Sequence, residues 1–287
     1  MLPSRPVPLR VHRSAAFQRM YWAAPHALLG RISRAIATAT RPRWAIDLAV
    51  RRWILRGAID MHDFEAGPFP TLEAFFLRRL RPGARLIEAG DDVIVSPVDG
   101  IVVGAGPIVD ATIVQVKGID LDLRRLTSGR GPAVPLAAYE AGRYVTIFLT
   151  PDGYHHVHMP LAATVHELRW IPGRAFPQNH DALRRIPRIY ERNERVTLRC
   201  RTHDGHEFLL IMVGASLIGG IHLDGLERPT WARRQVVPWG RRFARGERLG
   251  HFSFGSTVVL LLPPALADTT SITPPIGPAL RMGQRLL

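Results

Sequence analysis

A chain of 287 residues holds one large domain or two smaller ones, and 46% hydrophobic with 22% charged residues is the composition of a folded globular protein, which excludes a disordered or low-complexity chain. The single cysteine, Cys200, excludes an internal disulfide framework and a multi-cysteine zinc site, and fits a reducing compartment. Lys and Arg number 38 against 24 Asp and Glu, a formal charge of +14, and 37 of those cations are arginine; Lys117 alone could hold pyridoxal phosphate, which disfavours that class of enzyme.

The charge is concentrated at the start. Residues 1–60 carry eleven arginines and two acids, Asp47 and Asp60, and so hold +9 of the total. Such a start suits a transit peptide, a nucleic-acid arm or a membrane-surface segment. A secretory signal is disfavoured, because residues 1–20 have no uninterrupted apolar run.

Residues 28–39 are expected to form an amphipathic helix, with Leu28, Ile32, Ala35, Ile36 and Ala39 on one side and Arg31 and Arg34 on the other. Residues 43–59 carry a stripe of Trp44, Leu48, Leu55 and Ile59. Ile46, Val50, Trp53 and Ile54 lie elsewhere around that helix, among Arg51, Arg52 and Arg56. Long-stemmed arginines with Trp22, Trp44 and Trp53 suit helices lying in a lipid interface. A pair of core-packed helices with a solvated basic face is the alternative.

A spanning helix is not expected. The longest uncharged stretch, Leu249–Ala267, contains Gly250, Gly255, Pro263 and Pro264, and its continuous apolar run is only Val258–Leu262. Thr71–Leu80 is expected to be helical, with Thr71 as N-cap and Pro82 as stop. Short apolar runs then predict strands at Val93–Val95, Ile101–Val103, Ile108–Val116, Tyr144–Leu149, Val196–Cys200, Phe208–Val213, Leu217–Ile221 and Val258–Leu262. Helices followed by strands predict an α+β fold: N-terminal basic helices over residues 1–62, then a largely antiparallel β-rich catalytic core over 63–287. The Pro-, Gly- and Thr-rich tail after Asp268 is expected to be loosely held. Gly104 and Gly106 form a G-x-G, but nothing completes a dinucleotide or phosphate-loop pattern.

Three strings could carry chemistry. Ser96-Pro97-Val98-Asp99-Gly100 reads first as a tight turn. Tyr154-His155-His156-Val157-His158-Met159-Pro160 holds three histidines in four residues; on a strand His156 and His158 share a face and His155 points the other way. That cluster suits either a metal site or acid–base work near neutral pH. Phe252-Ser253-Phe254-Gly255-Ser256-Thr257 leads into the Val258–Leu262 run. A Gly-Ser there is ordinarily a bulge or strand start. A serine hydroxyl can also attack its own preceding carbonyl where glycine permits an unusual backbone and a base takes the proton. The N→O acyl shift gives an ester, and elimination cleaves the chain and turns Ser256 into a pyruvoyl group.

Taken together, S-P-V-D-G, Y-H-H-V-H-M-P and F-G-S-T resemble the phosphatidylserine decarboxylase proenzymes, a self-processing pyruvoyl-dependent family. Supporting stretches in family order are Phe75-Phe76-Leu77-Arg78 with Leu80-Arg81, Lys117-Gly118, Pro172-Gly173 with Phe176-Pro177 and Asn179-His180, Asn193-Glu194-Arg195-Val196, and Gly214-Ala215. The likeness runs from about residue 28 to Pro263. It implies that Asp99, His158 and Ser256 form the processing triad, with the carboxylate orienting the imidazole that deprotonates the hydroxyl. It implies that His155 serves decarboxylation, managing the proton at the substrate carbon. His156 stands where the family often has arginine and receives no role.

The resemblance further implies cleavage between Gly255 and Ser256, giving a β chain 1–255 and an α chain 256–287 with a covalent pyruvoyl group from Ser256. Phosphatidylserine would be converted to phosphatidylethanolamine and CO2, with the pyruvoyl carbonyl as electron sink. A peripheral location on an anionic membrane surface follows, at the cytoplasmic face of a bacterial cell membrane, with the α/β heterodimer dimerising further and no nucleic-acid partner. Two departures stand out. Pro151-Asp152-Gly153-Tyr154-His155 moves the acid of the family's P-R-D-Y-H by one place, and Gly214-Ala215-Ser216-Leu217-Ile218-Gly219-Gly220 lacks the final serine of G-A-x-x-V-G-S. The competing readings are a metal-dependent hydrolase on His155, His156 and His158, a non-enzymatic basic protein binding membrane or nucleic acid, and a pyruvoyl decarboxylase acting on a soluble amino acid or a related lipid such as archaetidylserine.

Overall fold

The computed structural model describes residues 26–90, 93–115, 119–129, 131–178, 188–215, 220–227, 235–267 and 276–287. The expected features at Trp22, Lys117-Gly118, Asn179-His180 and Ser216–Gly219 lie outside these, as does most of the leading basic segment.

Two helices open the described chain, α1 (His26–Thr38) and α2 (Arg43–Gly57). α2 ends where Ala58 turns left-handed (φ 47°) and its N–H closes on the Leu55 and Ile54 carbonyls. Ile46 and Val50 are buried against Phe75, with Trp53, Ile54, Ile59, Met61, Phe69 and Leu72 around them. Apart from Ile59, the stripe expected on α2 is not packed, nor are Ile32 and Ile36 of α1: Ile32, Ile36, Trp44, Leu48 and Leu55 are exposed, Trp44 by 70% and Leu55 by 79%.

The helix expected over Thr71–Leu80 is only α3 (Leu72–Phe76). Its cap is as expected, since Thr71 Oγ1 accepts the Ala74 N–H at 2.9 Å. Its end is not set by Pro82. The Arg78 guanidinium turns inward to the Phe75, Asp152 and Gly153 carbonyls, and the chain leaves the helix to bridge Leu80 with Phe64.

The thirteen strands among the described residues are β1 (Gly100–Pro107), β2 (Thr112–Gln115), β3 (Ile119–Asp122), β4 (Arg143–Leu149), β5 (His156–His158), β6 (Ala163–Ile171), β7 (Arg195–Arg201), β8 (Glu207–Gly214), β9 (Ile221–Leu223), β10 (Gln235–Phe243), β11 (Arg248–Phe252), β12 (Ser256–Leu262) and β13 (Ala279–Leu280). Short helices α4 (Leu123–Ser128) and α5 (Ile189–Arg192) interrupt them. Eight strands form one antiparallel sheet in the order β10-β6-β7-β8-β12-β4-β1-β13. The fold is therefore α+β with a β-rich, mainly antiparallel core.

The centre of this sheet is covered on both faces. Along β8 and β12, Leu210, Met212, Val258 and Leu260 pack on one side, and Leu209, Ile211, Val259 and Leu261 on the other. This explains why Val258–Leu262 reads as an unbroken apolar run rather than an alternating one. The edge strand β10 tolerates Pro238 because no strand follows it there, and its register breaks between Pro238 and Arg241.

A second sheet, β5-β11-β9, also antiparallel, carries the histidine string. Three residues, Ser253 to Gly255, connect β11 of this small sheet to β12 of the large one. Val93–Val95 is not a strand and contributes only a bridge from Val95 to Arg285. The tail is not loose where described. Leu287 and Ile94 exchange N–H···O bonds, and Ser96 donates to the Gln284 carbonyl at 2.7 Å, because the final apolar residues Leu286 and Leu287 enter the core.

Candidate active site

The link between the two sheets is the centre of the site. Gly255 takes the left-handed backbone (φ 56°), open to glycine at little cost. Its carbonyl accepts the Ala215 N–H at 3.0 Å. Ser256 begins β12, opposite Leu149 of β4 and Gly214 of β8. It is fully buried, and its Oγ has no hydrogen-bond partner. A buried hydroxyl left unpaired costs stability and calls for an explanation.

The Gly214–Ala215 peptide that donates to Gly255 is itself held from behind. The Gly214 carbonyl accepts Asn193 Nδ2 at 2.9 Å and Gln178 Nε2 at 3.1 Å, and its N–H donates to the Glu194 carbonyl. Asn193 also closes both ways on the Phe176 backbone, and Gln178 Oε1 accepts the Thr257 hydroxyl at 2.6 Å. All of these side chains are buried. The donor facing the Gly255 carbonyl is thus pre-oriented.

His155 reaches the link through aromatic stacking. Its ring lies 3.8 Å from Phe76, and Phe76 stacks at 4.3 Å on Phe254, the residue before Gly255. Nδ1 donates to the Gly153 carbonyl at 3.2 Å, leaving Nε2 as a buried lone pair with no partner. Burial, reinforced by the nearby Arg78 charge, pulls this imidazole down to about 3 and keeps it neutral.

His156 and His158 both face the Tyr154 ring, at 5.0 and 5.7 Å, as the strand alternation predicts. His156 Nε2 donates to the Leu77 carbonyl, and Arg248 approaches Nδ1 at 3.4 Å. His158 Nδ1 donates to the Gly246 carbonyl at 2.8 Å. Its Nε2 therefore accepts the Tyr154 hydroxyl at 2.9 Å, and burial lowers its pKa.

The S-P-V-D-G string forms a turn that is bonded to the histidine string. Ser96 Oγ donates to the Val98 carbonyl, and the Pro97 carbonyl accepts the His158 N–H at 2.8 Å. Asp99 is gripped by Arg85 through two nitrogens, at 2.6 and 3.2 Å, and accepts the Met282 N–H at 2.7 Å. Asp99 and His158 are thus on adjacent segments, but no hydrogen bond joins either to the other or to Ser256. Tyr154, Arg85, the Gly246 carbonyl, Gln178 and the Ala215 N–H were not assigned from sequence. Two of them carry a signal in the sequence: Tyr154 lies inside the histidine string, and Ala215 lies in the Gly214-Ala215 stretch of the family resemblance.

A family model described as phosphatidylserine decarboxylase matches residues 72–287. The chain is 35% identical over 255 residues to the phosphatidylserine decarboxylase proenzyme of Xanthomonas campestris pv. campestris (strain B100), covering 85% of this chain and 88% of that one. It is 35% identical over 247 residues to the proenzyme of that name from Brevibacillus brevis (strain 47 / JCM 6285 / NBRC 100599), covering 83% and 87%. This chain belongs to the phosphatidylserine decarboxylase family.

Within that family the displaced acid has a clear use here. The Asp152 carboxylate accepts the Trp53 indole N–H at 2.8 Å, and its carbonyl, with that of Gly153, holds Arg78. Arg78 lies over the Phe64 and Phe75 rings, and burial lowers it to about 10. This knot ties α2 to the segment leading into His155. Among the described residues, no group of three or more His, Cys, Asp or Glu side chains is arranged to hold a metal ion, and no helix is long and apolar enough to cross a membrane.

Proposed function

We infer that the chain is the precursor of a pyruvoyl-dependent decarboxylase that cleaves itself between Gly255 and Ser256 and converts phosphatidylserine to phosphatidylethanolamine and CO2. The observation that carries this reading is the link itself: a left-handed glycine, a carbonyl held by a fixed N–H, and then a buried serine hydroxyl with no partner, in a member of this family.

In the processing step Ser256 Oγ attacks the Gly255 carbonyl carbon. The C–O bond forms as the C–N bond breaks, and the hydroxyl proton ends on the freed amine. The Ala215 N–H stabilises the carbonyl oxygen as it gains charge. His158 takes the proton on Nε2, the ring nitrogen without a hydrogen, once it exchanges its Tyr154 bond for Ser256. Asp99 supports the resulting cation. Loss of the Ser256 Cα proton then expels the Gly255 carboxylate, and water hydrolyses the remaining enamine, releasing ammonia and leaving a ketone on residue 256. Chains 1–255 and 256–287 stay together as an α/β heterodimer, because β12 is paired along its length to β4 and β8 in the middle of the sheet.

The residues present fit a pyruvoyl group at position 256, whose backbone lies between two strands and beside the His155–Phe76–Phe254 stack. The group supplies an electron sink for the carbon that loses CO2. Phe76 and Phe254 keep water from that carbon, and the neutral His155 Nε2 holds or passes its proton.

The exposed Ile32, Ile36, Trp44, Leu48 and Leu55, set among arginines, support a peripheral position on an anionic bilayer, where the lipid substrate resides. We assign this to the cytoplasmic face of a bacterial membrane, with the heterodimer pairing with a second copy. The test is product analysis on phosphatidylserine vesicles, with free serine and archaetidylserine alongside. Phosphatidylethanolamine is the expected product. Decarboxylation of free serine alone would overturn the lipid assignment.

A further inference from the structure

α2 presents three distinct faces to its surroundings. Ile46 and Val50 are buried on one face, and Trp44, Leu48 and Leu55 are exposed on the opposite one. Between them runs a stripe at helical spacing, Ala49, Arg52, Trp53, Arg56 and Gly57, which with Asp152 lines a cleft of about 500 Å³. We propose that this cleft is a binding site for the anionic headgroup of a membrane phospholipid other than the molecule being decarboxylated, with Arg52 and Arg56 as its cationic contacts. The proposal rests on the membrane-surface reading given above.

Charge and shape both support it. Arg52 and Arg56 stand one turn apart on the same face, are exposed, and make no ion pair among the described residues. The one acid in the cleft, Asp152, is already engaged by the Trp53 indole and faces the buried Arg78 charge, so it offers little repulsion. The ends of the stripe are small. At Gly57 a methyl group would lie 2.8 Å from Asp152 Oδ1, so the missing side chain is what lets the Asp152 carboxylate pack against α2 at that end of the cleft. The exposed apolar face borders the two arginines directly. With Trp44, Leu48 and Leu55 among acyl chains, their guanidinium groups lie at the depth of the phosphates, where arginine stems snorkel.

The occupant is not the reacting lipid. In a serine phospholipid, one ester oxygen and one methylene separate the phosphate from the carbon that loses CO2. Trp53, which lines the cleft, meets His155 only by way of the Phe76 ring, whose centroid lies 6.1 Å from Trp53 and 3.8 Å from His155.

The test uses the full chain and a monomeric lipid, which removes diffuse surface attraction. Dihexanoyl phosphatidylglycerol is titrated below its micelle concentration by calorimetry. Saturable binding at one site is expected, weakened roughly tenfold or more in Arg52→Gln/Arg56→Gln. Arg31→Gln/Arg51→Gln removes the same charge outside the cleft and is expected to bind within about twofold of wild type. Absence of saturable binding, or an equal loss in both variants, would overturn the proposal. Displacement of the lipid by inorganic phosphate at equal concentration would overturn the headgroup assignment and leave a free-phosphate site. Binding with no decarboxylation would count against the enzymatic reading alone, and decarboxylation with no binding against this inference alone.

Discussion

The pre-oriented peptide behind the proposed cleavage site can be perturbed without touching any reacting atom. Gln178→Met keeps the side-chain volume but removes one of the two amides that hold the Gly214 carbonyl, leaving Asn193 in place. Deleting an oxyanion donor outright costs about 10²–10³ in rate. Here the Ala215 N–H remains and loses only part of its support, a net bond of about 0.5–1.5 kcal/mol. Self-cleavage should therefore slow by roughly twofold to tenfold. The Thr257 hydroxyl also loses its acceptor, lowering stability by about 1–3 kcal/mol, which a typical domain survives. The assay follows newly translated chain with time and separates the 32-residue fragment by mass. Val165→Ala, in the core on β6, serves as a comparably destabilised control and should cleave at the wild-type rate. Cleavage of Gln178→Met at the wild-type rate, or equal slowing of both variants, would refute the reasoning.

Further outcomes follow from the same geometry. Ser256→Ala should give one uncleaved chain with no decarboxylase activity, read by gel and product analysis; a cleaved or active variant contradicts the assignment. Asp99→Asn loses the charge opposite Arg85 and should slow cleavage by about tenfold or more, a barrier increase of at least about 1.4 kcal/mol; rapid, complete processing removes Asp99 from the triad. Acid should destabilise the fold before carboxylates titrate. His155 and His156 are held neutral by burial, down to about 3 and about 4, so the unfolded chain binds more protons below its histidine pKa near 6.5. Their stabilising contribution is complete above that value and is lost as pH falls toward 4, by roughly 2 kcal/mol each at pH 5. A melting temperature that does not change between pH 7 and pH 5 would contradict this.

What was legible in the sequence was what burial writes plainly. The run Val258–Leu262 is apolar without alternation because β12 is covered on both faces, and Thr71 signals α3 because its hydroxyl must cap the helix. β6 and β10 have no apolar signature in the sequence, since His166, Glu167, Arg169 and the Pro238 and Gly240 of an edge strand break any apolar pattern. Thr71 and Pro82 bracket a longer helix than α3, which stops at Phe76 because the Arg78 guanidinium is drawn to the Asp152 and Gly153 carbonyls far along the chain. The three chemical strings could be picked out locally. Their meeting point could not, because it depends on β11 leaving one sheet and β12 entering another within three residues. Arg85 and Gln178 carried no local signal, for each acts on a residue distant in sequence.

The most direct test of the central claim is the intact mass of the purified wild-type protein. Two chains separating after Gly255, the smaller with 32 residues and a ketone in place of the Ser256 amine, are the predicted result. A single chain of 32.0 kDa, persisting after incubation under conditions in which the family's proenzymes mature, would contradict it.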